Sequence, residues 1–179
     1  SAAEARHEEA PAGLAGVGEV WVVAPDREVS ACAQSLTLTR SVEAREVEAN
    51  VYAVDGTPAD CVNLAISRLM GRRPDMVVSG INRGANLGED VFYSGTVGGA
   101  REGSFCGIPS VAVSLVTRGD GEFAHAALVA GRLVRMVLEK GLPERTLLNV
   151  NVPLGEPVRT AITVQGRRLP GLPFLEGFD

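Results

Sequence analysis

Apolar residues in this chain fall into short clusters separated by polar stretches bearing glycine and proline. Val20-Trp21-Val22-Val23-Ala24 is an unbroken apolar run, rich in β-branched side chains and ended by Pro25-Asp26. A strand covered on both faces reads this way, because it loses the alternation of a half-exposed one. Val51-Tyr52-Ala53-Val54 is a second such run, closed by Asp55-Gly56. Asp75 to Ser79, Ser110 to Leu115, Leu147 to Val152 and Val158 to Val164 read as further strands. Leu36 to Leu38 reads as the start of an extended arm.

Between the strands the period changes. Thr57 is a cap, Pro58 suits the first helical position, and Asp60 complements the positive end of the helix dipole. Val62, Ala65, Ile66 and Leu69 then recur at helical spacing until Gly71 ends the run. Val97 to Cys106 reads as a helix despite Gly98, Gly99 and Gly103. Each interior glycine costs roughly 1 kcal/mol against alanine, so three of them point to close backbone packing or to a ligand lying against the helix. Phe123 to Lys140 is a long amphipathic helix stopped by Gly141 and Pro143. Residues 1–16 are Ala- and Glu-rich, with Pro11 interrupting a helical tendency. Strands alternating with helices predict an α/β fold around a largely parallel sheet, with ligands bound beyond the carboxyl ends of the strands.

Composition narrows the chemistry. The 179 residues suit one α/β domain with a small appendage, and aromatics at 4% leave the core to Val, Leu, Ile and Ala. A net charge of −5 without a Lys/Arg cluster argues against gripping a nucleic-acid backbone. A small phosphorylated substrate stays open, because one anion needs only a local nest of donors. Cys32, Cys61 and Cys106 have no CxxC spacing and read as buried small hydrophobes in a reducing compartment. With no run near the roughly 18 apolar residues of a membrane span and no secretory leader, the expectation is a cytoplasmic protein.

Two loops at strand ends carry the candidate chemistry. The first, residues 24–35 (APDREVSACAQS), sets hydroxyls and carboxylates beyond the 20–24 strand; a polar turn with self-capping serines explains it equally well. The second begins SGINRGANLGED at Ser79 and continues into Ser94-Gly95-Thr96 at a helix start. Its glycines permit tight turns and expose amides. Asn82 and Asn86 add oxygens suited to a hard cation or amides suited to a phosphate. The helix start at 94–96 favours an anion. Neither a P-loop nor a GxGxxG fingerprint is present, which disfavours a dinucleotide-dependent oxidoreductase. The absence of GxSxG and HExxH likewise disfavours triad hydrolases and zincins. His7 lies near the amino terminus and His125 reads as a helix-surface residue. Arg167-Arg168 reads as a solvated pair.

Taken together, VWVVAPDREVSACAQSLTLTR, DGTPADCVNLAI, DMVVSGINRGANLGEDVFYSGTVGGAREG, GIPSVAVS and LLNVNVP strongly resemble the SurE family, the survival-protein-E nucleotidases. They span residues 19–153, about three quarters of the chain. The resemblance implies a Rossmann-like, mostly parallel sheet with helices on both faces over residues 1–153. It implies that residues 154–179 are a remnant of a smaller oligomerisation region. It further implies a divalent-cation-dependent phosphomonoesterase, using Mg²⁺ or Mn²⁺, that acts on nucleoside monophosphates and assembles as a homodimer or homotetramer. Ser30 and Asn82 match the family's metal ligands, and Asn86, Ser94, Gly95 and Thr96 match the residues that hold the phosphate.

Three features depart from the family pattern. Its opening strand ends in Asn-Asp-Asp-Gly, whose aspartates complete the metal site, and no Asp-Asp occurs in this sequence. Glu8-Glu9 is no substitute: too few residues separate it from Glu19 for a crossover of a dozen or more. The expectation is that the first strand, normally central, lies outside these 179 residues. Gln34 stands where the family usually has a histidine and cannot transfer a proton near neutral pH. The carboxyl-terminal part is short. A non-catalytic phosphate- or nucleotide-binding domain with an incomplete metal site is therefore the alternative reading.

Overall fold

The computed structural model describes residues 13–117, 119, 123–155 and 159–167. Two three-stranded sheets form the framework. In the first, β1 (Val22–Pro25) runs parallel to β3 (Val51–Val54), and β2 (Ala44–Glu48) adds antiparallel to the other edge of β3. In the second, β4 (Val77–Arg83), β5 (Ser110–Val116) and β6 (Leu147–Pro153) lie in that order, all parallel. The α/β class and the predominance of parallel pairing agree with the sequence reading, and the hydrophobic runs locate five of these six strands.

The sixth, β2, has the sequence AREVE and exposes most of its side chains. Charged edge strands blunt further pairing, and for that reason carry no hydrophobic signature. A turn at Ala49-Asn50, with Asn50 at φ 63°, folds β2 back onto β3. Asp55 fastens the far end: its amide donates to the Glu43 carbonyl at 3.1 Å and its carboxylate accepts from the Glu43 amide at 2.8 Å. Leu36 to Leu38, expected as an extended arm, makes no strand. The expected strand at 158–164 is also not formed over residues 159–164, while Val158 lies outside the described residues. Ile162 and Val164 are almost fully exposed. Alternating apolar residues make a strand only where a neighbouring strand supplies the ladder.

Helix α1 (Pro58–Leu64) starts as expected, with a capping box: the Asp60 amide donates to Thr57 Oγ1 and the Thr57 amide to Asp60 Oδ2. It passes into a π-helical turn over Ala65–Leu69, and Gly71 at φ +62° closes the run. Helix α2 (Gly95–Phe105) and helix α3 (Ala124–Lys140) follow. Strand β5 is buried on both faces and sorts the two helices by residue size. Val111, Val113 and Leu115 meet Phe123, Ala126, Ala127 and Ala130 at the start of α3. Ala112 meets Val97 and Ala100 of α2. Helices thus cover both faces of the β4–β5–β6 sheet.

The glycines of α2 make close packing possible. A Cβ at Gly103 would fall 2.6 Å from Ser110 Oγ, and one at Gly99 would fall 2.8 Å from Ser79 Oγ. A Cβ at Gly98 would lie 2.2 Å from the Ala33 carbonyl. Close backbone approach, one of the two explanations offered for the glycine pattern, is what these positions serve. Helix α1 packs on β1 and also on α2, while α2 packs on β4 and β5, so the helix pair joins the two sheets. The single sheet expected from sequence is accordingly divided, and β1 and β4 each keep one edge unpaired among the described residues.

Candidate functional site

Strand β4 continues beyond the point where the sequence suggested a loop. The stretch Ser79–Asn82 forms a bulge against β5 and includes a cis peptide between Gly80 and Ile81. Gly80 sits at φ +133°, and a Cβ there would lie 2.4 Å from the Val113 carbonyl, so no other residue fits without rearrangement. The bulge carries Asn82 to the carboxyl end of the strand. There its Nδ2 donates to the carbonyls of Arg83 (3.2 Å) and Gly84 (3.0 Å), and its Oδ1 accepts from Thr96 Oγ1 at 3.4 Å.

Thr96 is in the first turn of α2. Ser94 caps that turn, its Oγ accepting from the Val97 amide at 3.1 Å. The Gly95 and Thr96 amides have no intrahelical acceptor, as at every helix start. Gly95 is buried with Cys32 directly beside it, since a Cβ at Gly95 would lie 2.5 Å from Cys32 Sγ. The two candidate loops therefore meet: Asn82 touches Thr96, and the Cys32-Ala33 segment abuts Gly95 and Gly98. Ser30, exposed, lies two residues upstream of that contact.

The 30–35 segment has an unusual backbone. Ala31 and Ala33 both adopt left-handed φ, at 53° and 55°, a conformation costing of order 1–3 kcal/mol for a residue with a side chain. The Ala33 amide donates to the Tyr93 carbonyl at 2.8 Å, and Thr57 Oγ1 donates to the Ser35 carbonyl at 2.7 Å. Gln34 Nε2 donates to Glu102 Oε2 at 2.8 Å. Thr37 turns both its amide and its hydroxyl to Asp60, at 2.9 and 2.6 Å.

Asn86 is placed differently from the other candidates. Its Nδ2 donates to Ser114 Oγ at 2.7 Å, its amide donates to Asn151 Oδ1 at 2.8 Å, and its carbonyl accepts from Asn149 and Asn151. The side chain is buried and ties the 84–88 turn to the carboxyl ends of β5 and β6. Asn149 and Asn151 went unassigned in the sequence. The signal was two polar residues at i and i+2 inside an apolar strand, which puts both on one face. Glu102, also unassigned, accepts Asn63 Nδ2 at 3.3 Å besides Gln34.

Burial works to raise the Asp60 carboxyl, but hydrogen bonds from Thr37 and Thr57 outweigh it and hold it below the usual aspartate range. Burial, reinforced by Asp60, pushes the Cys61 thiol up to about 12. Cys32 and Cys106 are also raised by burial. None is therefore an activated thiolate, as the sequence led one to expect. His125 departs from expectation: its Nε2 is buried without a partner among the described residues. Glu8-Glu9, His7 and Arg168 lie outside the described residues.

Two surface concavities, about 360 and about 300 Å³, lie off the convergence of loops. One is lined by Arg72, Arg73 and Cys106, the other by Thr37, Asp60 and Asn63. Among the described residues no three His, Cys, Asp or Glu side chains gather as a metal cluster. The side-chain oxygens at the convergence of Asn82, Ser94 and Thr96 are neutral. No helix among the described residues is long and apolar enough to cross a membrane.

Comparison with known proteins places this geometry. A family model described as Survival protein SurE matches residues 8–170. The 5'-nucleotidase SurE of Geobacter metallireducens is 54% identical over 159 residues, covering 87% of this chain and 63% of that protein. That of Myxococcus xanthus is 51% identical over 165 residues, covering 91% and 63%. The crystal structure of the SurE protein from Aquifex aeolicus superimposes with a TM-score of 0.85 at 46% identity, covering 89% of this chain and 66% of that one. The chain thus spans less than two thirds of the length of these relatives. With the match running through both candidate loops and both sheets, the chain belongs to the SurE family.

Proposed function

We propose that these residues form the phosphate-binding and part of the metal-binding site of a phosphomonoesterase that releases phosphate from nucleoside monophosphates. The observation that carries the reading is the contact between Asn82 and Thr96, which joins an oxygen-rich strand end to the open first turn of a helix. An anion is favoured at such a turn, where free amides and the helix dipole act together. The relatives bear the name 5'-nucleotidase, which supplies the substrate class.

In this reading the Gly95 and Thr96 amides and the Thr96 hydroxyl receive the phosphate, and Ser94 holds the turn open to it. Asn86 acts by fixing the loop, since its side-chain amide is directed to Ser114. Asn82 Oδ1 and Ser30 Oγ fit a hard divalent cation, Mg²⁺ or Mn²⁺, which takes oxygen ligands. When bound, such a cation polarises the phosphoryl oxygens and lowers the pKa of a coordinated water. Two neutral oxygens do not balance its charge. The family pattern supplies carboxylates from an Asp-Asp strand, a motif that this sequence does not contain, and β1 and β4 each keep an edge unpaired among the described residues. Residues 1–153 then constitute the nucleotidase domain, and 154–179 are a remnant of a smaller region used in a homodimer or homotetramer in the cytoplasm.

The test is phosphate release from a panel of nucleoside monophosphates by the full chain, with and without Mn²⁺ or Mg²⁺. Metal-dependent release abolished by Asn82→Ala supports the assignment. Retained affinity for phosphate without any release would instead favour a non-catalytic phosphate-binding domain.

A further inference from the structure

Glu102 is a buried acid in the middle of α2, two turns from the phosphate-binding end of the helix, and both its carboxylate oxygens are used. Oε2 accepts from Gln34 Nε2 at 2.8 Å, and Oε1 accepts from Asn63 Nδ2 at 3.3 Å. Gln34 ends the loop that carries Ser30, and Asn63 is on α1. One carboxylate therefore joins the loop, α1 and α2. Burying a carboxylate is costly unless its hydrogen bonds are made, and an apolar residue would fill the same volume more cheaply. What an apolar residue could not do is hold Gln34.

The loop needs holding. Ala31 and Ala33 sit in left-handed conformations that relax when released. The Ala33 carbonyl is pressed against Gly98, one turn of α2 before Glu102. Anchors close to the carboxylate are the Ala33 amide on Tyr93 and the Thr57 hydroxyl on Ser35. Neither fixes a side chain of the loop. Gln34 does, four residues after Ser30.

We infer that Glu102 is the positioning residue of the metal site: through Gln34 it sets the loop so that Ser30 faces Asn82 and the first turn of α2. This rests on the reading of Ser30 and Asn82 as cation ligands given above. Gln34 is in this arrangement an anchor for the loop, its amide donating to Glu102.

The test measures Mn²⁺ binding to the full chain directly, by the electron paramagnetic resonance signal of free Mn²⁺. The Mn²⁺ concentration giving half-maximal phosphate release is measured alongside. Glu102→Ala should weaken Mn²⁺ binding by about ten-fold or more, in the range seen when an outer partner of a metal ligand is lost, with kcat at saturating Mn²⁺ changed far less. Gln34→Ala should do the same, and the double variant should be no worse than Glu102→Ala. Glu102→Gln, able to accept one amide but not two, should fall between. Val134→Ala, which opens a cavity under α3 far along the chain, controls for lost stability; it should lower Tm and leave Mn²⁺ binding unchanged. Wild-type Mn²⁺ affinity in Glu102→Ala and Gln34→Ala, or weakening that merely tracks Tm as in Val134→Ala, would overturn the inference while leaving the nucleotidase reading intact. Failure of the wild-type chain to bind Mn²⁺ would overturn both.

Discussion

The Thr96 hydroxyl reaches Asn82 Oδ1 at 3.4 Å, joining the first turn of α2 to the end of β4 across 14 residues of sequence. On the proposed reading this pair is where cation and phosphate meet. Asn82→Ala should lower phosphate release by about 10²-fold, the usual loss when one preorganised polar group is taken from a reacting centre. Thr96→Val keeps the shape and removes the hydroxyl, so a smaller loss, about 10-fold, is expected. Both variants should melt within a few degrees of the parent, and wild-type turnover in Asn82→Ala would remove it from the site.

Gly98 offers a sharper structural test. Its missing Cβ would stand 2.2 Å from a backbone carbonyl, and backbone cannot step aside as a flexible side chain can. Gly98→Ala should cost about 1–3 kcal/mol by overpacking and should also displace the 30–35 loop. Gly166→Ala meets nothing within 4 Å and should be silent. Chemical denaturation of the two variants side by side checks the contrast.

Asp60 predicts a pH dependence of stability. Its folded-state pKa is depressed, so its contribution is complete above the unfolded aspartate value and is lost as pH falls through the folded one. Asp60→Asn should therefore cost about 2 kcal/mol at neutral pH, as expected when hydrogen bonds to a charged group are lost. The gap between variant and parent should narrow below about pH 4, near the ordinary aspartate pKa. Denaturation midpoints measured from pH 7 down to the acid limit of folding supply the curve. A gap that widens toward acid would contradict the sign.

The cysteines give a prediction about reactivity. With its thiol at about 12, Cys61 is almost wholly protonated at pH 8 and enclosed by the protein. Iodoacetamide should label Cys61 only when the chain unfolds, with Cys32 and Cys106 slower than a free thiol in the folded state. Peptide mass mapping after timed alkylation distinguishes the three.

Much of this was legible in the sequence, for reasons that particular residues make plain. Thr57-Pro58-Ala59-Asp60 announces a helix because each residue meets a need of its first turn, and the capping box forms as those needs require. The apolar runs that became β3 and β5 are visible because strands covered by neighbouring elements carry few polar residues; the two serines of β5, Ser110 and Ser114, are fully buried. β2 escaped notice because it is charged and exposed, and a strand of that kind exists only through its pairing with β3. The strand expected at 158–164 failed for the converse reason: its alternation was right and its neighbour was missing. At the site, Asn82, Ser94, Gly95 and Thr96 were found because their chemistry is local to one loop. Glu102, Asn149 and Asn151 act across 60 to 70 residues of sequence, so their partners exist only in the folded chain.

The two faces of β5 are not equally free to change. Val111, Val113 and Leu115 meet a helix through interchangeable aliphatic volume, and methyl groups can be traded there with modest repacking. On the other face, Ser110 lies against Gly103 and Ala112 against Val97 and Ala100 of α2, where the small residues and glycines leave little volume to trade. Drift between descendants of this chain should therefore collect on the α3 side. The α2 side should persist nearly letter for letter, because there the main chain itself is one of the packed surfaces.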